Sequence, residues 1–320
     1  MLKRALLVGI DDYDEFSCLR GCVNDVTALY PLLRRNDDIS INFSCQVLTS
    51  DKHRIDREIL LESIEALLAP GADVALFYFA GHGDRVSNGA DVALVAQNAT
   101  HREPGVTLSS VLAQVVASPV KEVIIILDCC FSGAAGGVPQ LGENSALLKQ
   151  GLSILTASRG DQLSAETPDG RGLFSTYLCG ALDNGAADTL GKVNLAGIYA
   201  YLTESFGAWD QRPTFKANVD GLHDLRRCKP AVPHEELLRL TEIFTDVDYV
   251  LPLDSSYEPE AEPQHPEHQD IFAILQRCRA AKLVEPVGHE HMWHAAMFNF
   301  GCRLTPLGKH YWTMVDKEQL

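Results

Sequence analysis

The stretch "EVIIILDCCFSG", residues 122–133, runs from β-branched and apolar residues through an acid into two adjacent cysteines and a Ser-Gly pair. A short apolar run of this kind, closed by a turn signal, reads as a buried strand whose end carries reactive groups. Four further stretches share its character: "RALLVGI" (4–10), "FSCQVLT" (43–49), "DVALFYFA" (73–80) and "LSILTAS" (152–158). Between them, "NDVTALYPLLRR" (24–35), "IDREILLESIEALL" (55–68) and "LSSVLAQVVA" (108–117) place apolar residues at helical three-and-four spacing, with Asn24 and Ser109 where N-caps belong. "FSTYLCGALDNG" (174–185) and "LAGIYAYLTESFG" (195–207) read as two more helices, and the Gly- and Ala-rich 132–145 as a surface loop. Strands alternating with helices predict an α/β fold built on a mainly parallel sheet flanked by helices.

The chain of 320 residues carries 43 acidic and 27 basic side chains, a net charge of -16. That charge repels phosphate backbones and anionic membranes, and no basic patch offsets it, so neither nucleic acid nor membrane is expected as a partner. No apolar run approaches the roughly 18 residues needed to cross a bilayer, and the short run after Met1 ends at Asp11 and Asp12 with no cleavage-like segment. Nine cysteines without framework spacing suit a reducing compartment, so a cytoplasmic location is expected.

Composition shifts near residue 230. Residues 1–230 are expected to form the α/β domain. Residues 231–270, proline-rich and acidic toward their end, are expected as a linker or extended arm. Residues 271–320, with a helix running into a strand and a last helix opened by Thr305-Pro306, suggest a small winged-helix-like module. From 231 onward there are 15 acidic and 7 basic residues. A nucleic-acid-reading wing should be basic, so docking of an activator or target protein, or sensing, is the expected role.

In a parallel sheet, sites form beyond the carboxyl ends of the strands. Two expected strand ends carry reactive groups: "FYFAGHGD" places His82 between glycines, and "IIILDCCFSG" places Cys129 and Cys130 before Ser132 and Gly133. A cysteine attacks as thiolate and an imidazole can take its proton, which makes His82 and Cys130 a candidate dyad. Neighbouring side chains on a strand point in opposite directions, so only one of the two cysteines should face the histidine, and Cys129 is the alternative to Cys130. From His82 to Cys130 is 48 residues, near the interval of about 50 found in caspases.

With "LVGIDDY", "LRGCVNDV", "FYFAGHGD", "LDCCFSG" and "ILTASRGDQLSAE" with "GLFSTYLCGAL" in this order, residues 2–225 resemble the caspase-like cysteine peptidases of the metacaspase and related bacterial branch. The resemblance implies a caspase-like fold, Cys130 as nucleophile with Cys129 as the small residue before it, and His82 as the acid-base partner. It also implies an oxyanion site made by the N–H groups of Gly83 and Cys130, and a pocket for the substrate's P1 side chain lined by Asp25 and Asp128. Two carboxylates there would favour Arg or Lys at P1; Asp25 could instead cap its helix, and Asp128 could orient the dyad. The animal caspase signature Q-A-C-[RQG]-G is absent, and Ala80 stands where many metacaspases have Ser.

Neither a cofactor nor a metal site is expected. Some relatives use clustered carboxylates for calcium, but only Asp91 stands out here, and the loop after Cys130 has no acid before Glu143. In "HEHMWH", His289 and His294 are five apart and do not share a helix face as the H-E-x-x-H zinc pattern requires. Lys149, the only basic residue in 132–150, is the one candidate for self-cleavage in that loop. The resulting expectation is a cysteine endopeptidase cleaving proteins after Arg or Lys, regulated through its C-terminal region, in a signalling, defence or regulated-death pathway. The alternatives are an idle scaffold that acts by protein interaction and a peptide ligase using the same dyad.

Overall fold

A computed structural model describes residues 1–86, 91–103, 105–129, 149–157, 170–206 and 213–320. The chain forms two compact units, Met1–Ala187 with Val193–Cys228, and Asp188–Lys192 with Lys229–Leu320. No helix among the described residues is long and apolar enough to cross a membrane.

As far as residue 228 the order is β1 (Lys3–Gly9), α1 (Cys22–Arg34), β2 (Phe43–Thr49), α2 (Arg57–Leu68), β3 (Val74–Ala80), β4 (Gly83–Arg85), β5 (Val92–Val95), β6 (Gly105–Thr107), α3 (Leu108–Ala117), β7 (Glu122–Asp128), β8 (Leu152–Thr156), α4 (Leu173–Gly180), β9 (Lys192–Val193), α5 (Leu195–Ser205), β10 (Thr214–Asn218) and β11 (Arg226–Arg227). The main sheet runs β10-β8-β7-β3-β1-β2, parallel except for β10, which pairs antiparallel with β8. Every residue of β3 is buried, because helices cover both faces of the sheet. Ala75, Phe77, Ile125 and Leu127 join Leu60, Ile64, Val111 and Val115 of α2 and α3 on one face. Leu76, Tyr78, Ile124 and Ile126 join Val26, Leu29, Phe174 and Ile198 of α1, α4 and α5 on the other. This is the expected mainly parallel α/β sheet.

Strand order places a switch point between β1 and β3. The chain leaves β1 toward α1 on one face, and leaves β3 toward the small antiparallel sheet β4-β5-β6, whose Val92, Leu94 and Val106 join the core of the other face. The diverging connections open a crevice at the carboxyl ends of these two strands, where ligands bind in such sheets.

The helix starts differ from expectation. α1 opens at Cys22, two residues before Asn24, because the Asp11 carboxylate accepts from the Cys22 and Val23 N–H groups at 2.9 and 3.3 Å. Asn24 lies inside the helix and donates to the Gly170 carbonyl at 3.0 Å. α3 is capped by Thr107, whose Oγ1 accepts from the Ser110 N–H, not by Ser109.

The second unit contains α6 (His234–Leu238), α7 (Leu240–Ile243), β12 (Val250–Pro252), α8 (Pro266–Ala280), β13 (Val284–Val287), α9 (Met292–Met297), β14 (Gly301–Leu304) and α10 (Pro306–Asp316). Residues 231–270, expected as a linker or arm, instead supply Val232, Leu237, Phe244, Leu253 and Tyr257 to the same apolar core as Phe272, Leu275 and Leu304. These well-separated apolar residues are enough to anchor a segment whose composition is otherwise polar. Thr305 caps α10 as expected, accepting from the Gly308 N–H. The sheet β12-β14-β13 is antiparallel, but α9 separates β13 from β14, so the consecutive-strand hairpin of a wing is missing and the module is a different α+β arrangement. His289 precedes α9, yet its ring lies 4.2 Å from that of His294, with His291 5.7 Å from His294. The turn brings together rings that helical spacing alone would not.

Entry into β8 depends on Gly151, which has φ +86° and whose Cα has Lys121 O only 1.9 Å from where a Cβ would stand. Its carbonyl accepts from Val123 N–H at 2.8 Å and its N–H donates to Asn218 O at 2.7 Å, which starts the β7-β8-β10 pairing. Gly151→Ala should therefore cost about 1–3 kcal/mol from backbone strain alone, with the clash in addition, read as a lower urea midpoint of unfolding.

Candidate active site

His82 lies two residues beyond β3, in the crevice. Parallel pairing sets Ala80 opposite Asp128, and the Gly81 N–H reaches the Asp128 carbonyl at 3.4 Å. The turn carrying His82 is thereby tied to the strand end that leads to the cysteines. The loop after β1 fixes the histidine from the other side. Its backbone N–H donates to Tyr13 Oη at 2.9 Å, and that hydroxyl donates to the Ile10 carbonyl at 3.0 Å. The ring packs 4.9 Å from Tyr13 and 6.1 Å from Phe16 between centroids. Nε2 lies 2.7 Å from the Ser17 carbonyl. A carbonyl only accepts, so Nε2 carries the hydrogen and, in the neutral ring, Nδ1 keeps the lone pair that can take a proton.

Gly83 begins β4. The Val95 N–H donates to the His82 carbonyl at 3.0 Å, and Gly83 stands opposite Leu94. In an antiparallel ladder bonded and non-bonded pairs alternate. The Gly83 N–H therefore faces away from β5 and stays out of this ladder.

Cys129 is buried in the core on the α2–α3 face of the sheet, while Asp128, on the opposite face, is turned toward Tyr78. Cys130 lies outside the described residues, as do its N–H and residues 131–148.

Asp25 and Asp128 meet on the α1–α4 face. Asp25 is 3% exposed on the first turn of α1, and since Asp11 caps that helix, Asp25 is not its cap. Its Oδ1 accepts from the Gly172 N–H at 2.9 Å and from Ser175 Oγ, both at the start of α4. Asp128 Oδ2 accepts from the Tyr78 hydroxyl at 3.1 Å. The point where a Cβ on Gly172 would stand is 3.3 Å from Asp25 Oδ2 and 3.6 Å from Asp128 Oδ2. Both carboxylates thus border one spot, kept open by a glycine. Burial raises the Asp25 pKa to about 6, against the lowering effect of Ser175, Gly172 and Arg171. Burial, and then the charge of Asp25, raises Asp128 to about 7. A pair held in this condition favours a cation that would let both ionise.

Lys149 sits at the other end of the sheet. Its ammonium donates to the Val115 and Ser118 carbonyls at 3.0 and 2.5 Å, at the end of α3. β8 begins three residues later, alongside Val123 of β7. The length of β7, roughly 20 Å, separates that edge from Asp128.

Ser17, Tyr13, Tyr78, Gly172 and Ser175 were not singled out from the sequence. A backbone carbonyl such as Ser17 O has no residue signature. Tyr78 is hidden in an apolar strand run, and Ser175 contacts Asp25 across 150 residues of chain.

The arrangement has counterparts among known proteins. The sequence profile of the family described as Caspase domain, Peptidase C14, matches residues 2–222. Metacaspase-1 of Mycosarcoma maydis is 26% identical over an alignment covering 85% of this chain and 73% of that protein. Metacaspase-1B of Aspergillus oryzae is also 26% identical, over 54% of this chain and 44% of its own length, so the chain spans less than half of that relative. A crystal structure of a Geobacter sulfurreducens protein superposes with a TM-score of 0.54 at 15% identity, covering 72% of this chain and all of that one, a likeness of fold.

The carboxylate pair predicts a pH dependence of stability. Unfolded aspartates release their protons near pH 4, whereas this pair holds them to about 6 and about 7. The native state binds more protons across that window, so its stability falls as pH rises through it. Asp128→Asn removes the share of the dependence that Asp128 contributes, leaving that of Asp25, and keeps an acceptor for Tyr78. Its unfolding midpoint should exceed the wild type's by a few degrees at about pH 7.5, with the difference closing toward about pH 5; an equal difference at both pH values would trace it elsewhere.

Proposed function

Because the chain belongs to the caspase-domain family, we propose that it is a cysteine endopeptidase cleaving proteins after Arg or Lys. The observation that carries the specificity is the convergence of Asp25 and Asp128 at Gly172, on the same strand-end edge as His82. A guanidinium or ammonium at that point would let the buried Asp25 and the half-buried Asp128 both ionise and would offset the cost of desolvating them. An acidic P1 side chain would meet two like charges.

In this reading His82 Nδ1 takes the proton of the Cys130 thiol, and the thiolate attacks the carbonyl carbon of the P1 residue. The carbonyl oxygen becomes an oxyanion held by the N–H groups of Gly83 and Cys130. The ladder register supports that role for Gly83, whose N–H is not spent on β5. The tetrahedral adduct collapses, the C–N bond breaks, and the amine leaves with the proton from His82. Water then attacks the thioester, giving one proton to His82; the C–S bond breaks, the carboxylic product departs and the thiolate is reprotonated. The Ser17 carbonyl supports this cycle by holding Nε2–H, which keeps the ring oriented and stabilises the imidazolium. Cys129, packed in the core, fills space.

We place the protein in a reducing compartment, the cytoplasm. In support, none of the eight described cysteines is in a disulfide, including five buried ones besides Cys129. Residues 229–320 form their own core, which suits a regulatory or recruiting role in a signalling, defence or regulated-death pathway. The engagement of Lys149 by Val115 and Ser118 speaks against self-cleavage at that residue within one molecule.

The test is hydrolysis of fluorogenic peptides with Arg, Lys, Asp or Asn at P1, with calcium and with chelator. Cleavage after Arg and Lys is expected in both conditions, reduced about a thousandfold or more in Cys130→Ala and His82→Ala and retained in Cys129→Ala. Asp25→Asn and Asp128→Asn should lower kcat/KM for Arg on the order of a hundredfold, and KM for Arg substrates should fall as pH rises through the pair's titration. Cleavage after Asp, or activity retained without Cys130, would overturn the reading. Silence across the panel with no labelling of Cys130 by an acylating probe would favour the scaffold.

A further inference from the structure

The second unit exposes an apolar surface that its own fold does not cover. Trp293 and Met297 lie four residues apart on α9, so they share one face, and they are 49% and 39% exposed. Phe298 and Phe300, 59% and 43% exposed, extend apolar surface beyond the helix end. Scattered single apolar residues are ordinary on a surface, whereas four exposed large apolar residues between 293 and 300 concentrate apolar area, as contact sites do.

Facing α9 is the segment from Ser255 to His265, and together they line a groove of about 670 Å³. The segment is built, not trailing. Tyr257 is buried in the unit's core and stacks on His268 at 4.3 Å. The Ala261 N–H donates to the Glu258 carbonyl at 3.1 Å, and Gln269 Nε2 of α8 donates to the same carbonyl at 3.3 Å. This wall presents Glu258, Glu260 and Glu262 beside Trp293 and Met297, and no lysine or arginine is among the residues lining the groove. One carboxylate oxygen of Glu258, Oε1, is enclosed without a hydrogen-bond partner among the described residues.

We propose that this groove docks an arginine-bearing segment of a partner protein, its guanidinium groups meeting Glu258, Glu260 and Glu262 and its apolar stems lying on Trp293 and Met297. Arginine fits both halves of the surface. Its planar, weakly hydrated head pairs with carboxylates and stacks on an indole, while its methylenes cover apolar area. A second copy of this chain is the poorer occupant by charge. The whole chain carries -16, and residues 231–320 contain 15 acidic against 7 basic side chains, so like surfaces would repel.

The consequence rests partly on the peptidase reading. Where the docked partner is also the substrate, binding at the second unit raises the local concentration of basic sequence for a peptidase that selects basic residues. The docking itself is independent of any cleavage and is tested without it.

The experiment uses the full chain carrying Cys130→Ala and a short fluorescein-labelled peptide of alternating arginine and leucine, read by fluorescence anisotropy. Binding is expected to weaken with salt and to fall about tenfold or more both in Trp293→Ala and in Glu260→Lys/Glu262→Lys. It should persist in Asp25→Asn, which disables only the proposed P1 pocket. The same peptide with glutamate for arginine should not bind. Unchanged affinity in both groove variants, or loss only in Asp25→Asn, would overturn the proposal. So would concentration-dependent dimerisation abolished by Trp293→Ala, since it would make a second copy the occupant. Because these substitutions are at exposed positions and act on opposite walls of the groove, a folding defect in one leaves the other to decide.

Discussion

The register of β3 against β7 is the constraint on which the site depends. Ala80 opposite Asp128 brings two strand ends level, so Cys129, the residue before Cys130, and the turn holding His82 leave the sheet side by side. A slip by one residue would reverse the facing of every side chain beyond it. Such slips are suppressed because both faces of β3 and β7 are filled, with Phe77 and Ile125 packed against one helical layer and Tyr78 and Ile126 against the other. Packing in the interior thus sets the relative placement of the two strand ends at the edge.

A second cost is concentrated at the same edge. Two carboxylates are held in a largely apolar layer, where burial raises the proton affinity of both and the charge of Asp25 raises that of Asp128 further. The fold compensates locally with donors, from Tyr78 to one carboxylate and from Gly172 and Ser175 to the other. The donors fix the orientation of the oxygens without neutralising their charge. Such an arrangement sacrifices stability to hold an unsatisfied preference in place, as sites built to recognise a charged group do.

How much of this was legible in the sequence follows from how local each signal is. β2 and β7 fall at the residues read from the sequence, since each is a compact run closed by polar residues. β10, "TFKAN", is an edge strand with no fully buried residue, and β4 to β6 are three or four residues each, too short for periodicity to register. The start of α1 was misplaced because its capping carboxylate, Asp11, comes from the preceding loop and not from the adjoining residues. The acidic, proline-rich stretch before α8 looked like an arm because composition averages away Leu253 and Tyr257, the two side chains that anchor it. At the site, residue types were readable from short motifs, whereas the carbonyl of Ser17 and the reach of α4 to Asp25 exist only once distant segments meet.

The strand order also bears on what covalent continuity means for this unit. β8 follows β7 in the chain after a long connection, yet in the sheet it is hydrogen-bonded to β7 along five residue pairs and flanked on its other side by β10. Asp25 near the N-terminus is bonded to Gly172 and Ser175 far beyond that connection. The two halves of the polypeptide on either side of it are therefore interleaved parts of one core. A single break between them would leave two fragments that neither separate nor fold alone, a molecule that is whole in solution and divided only under denaturation.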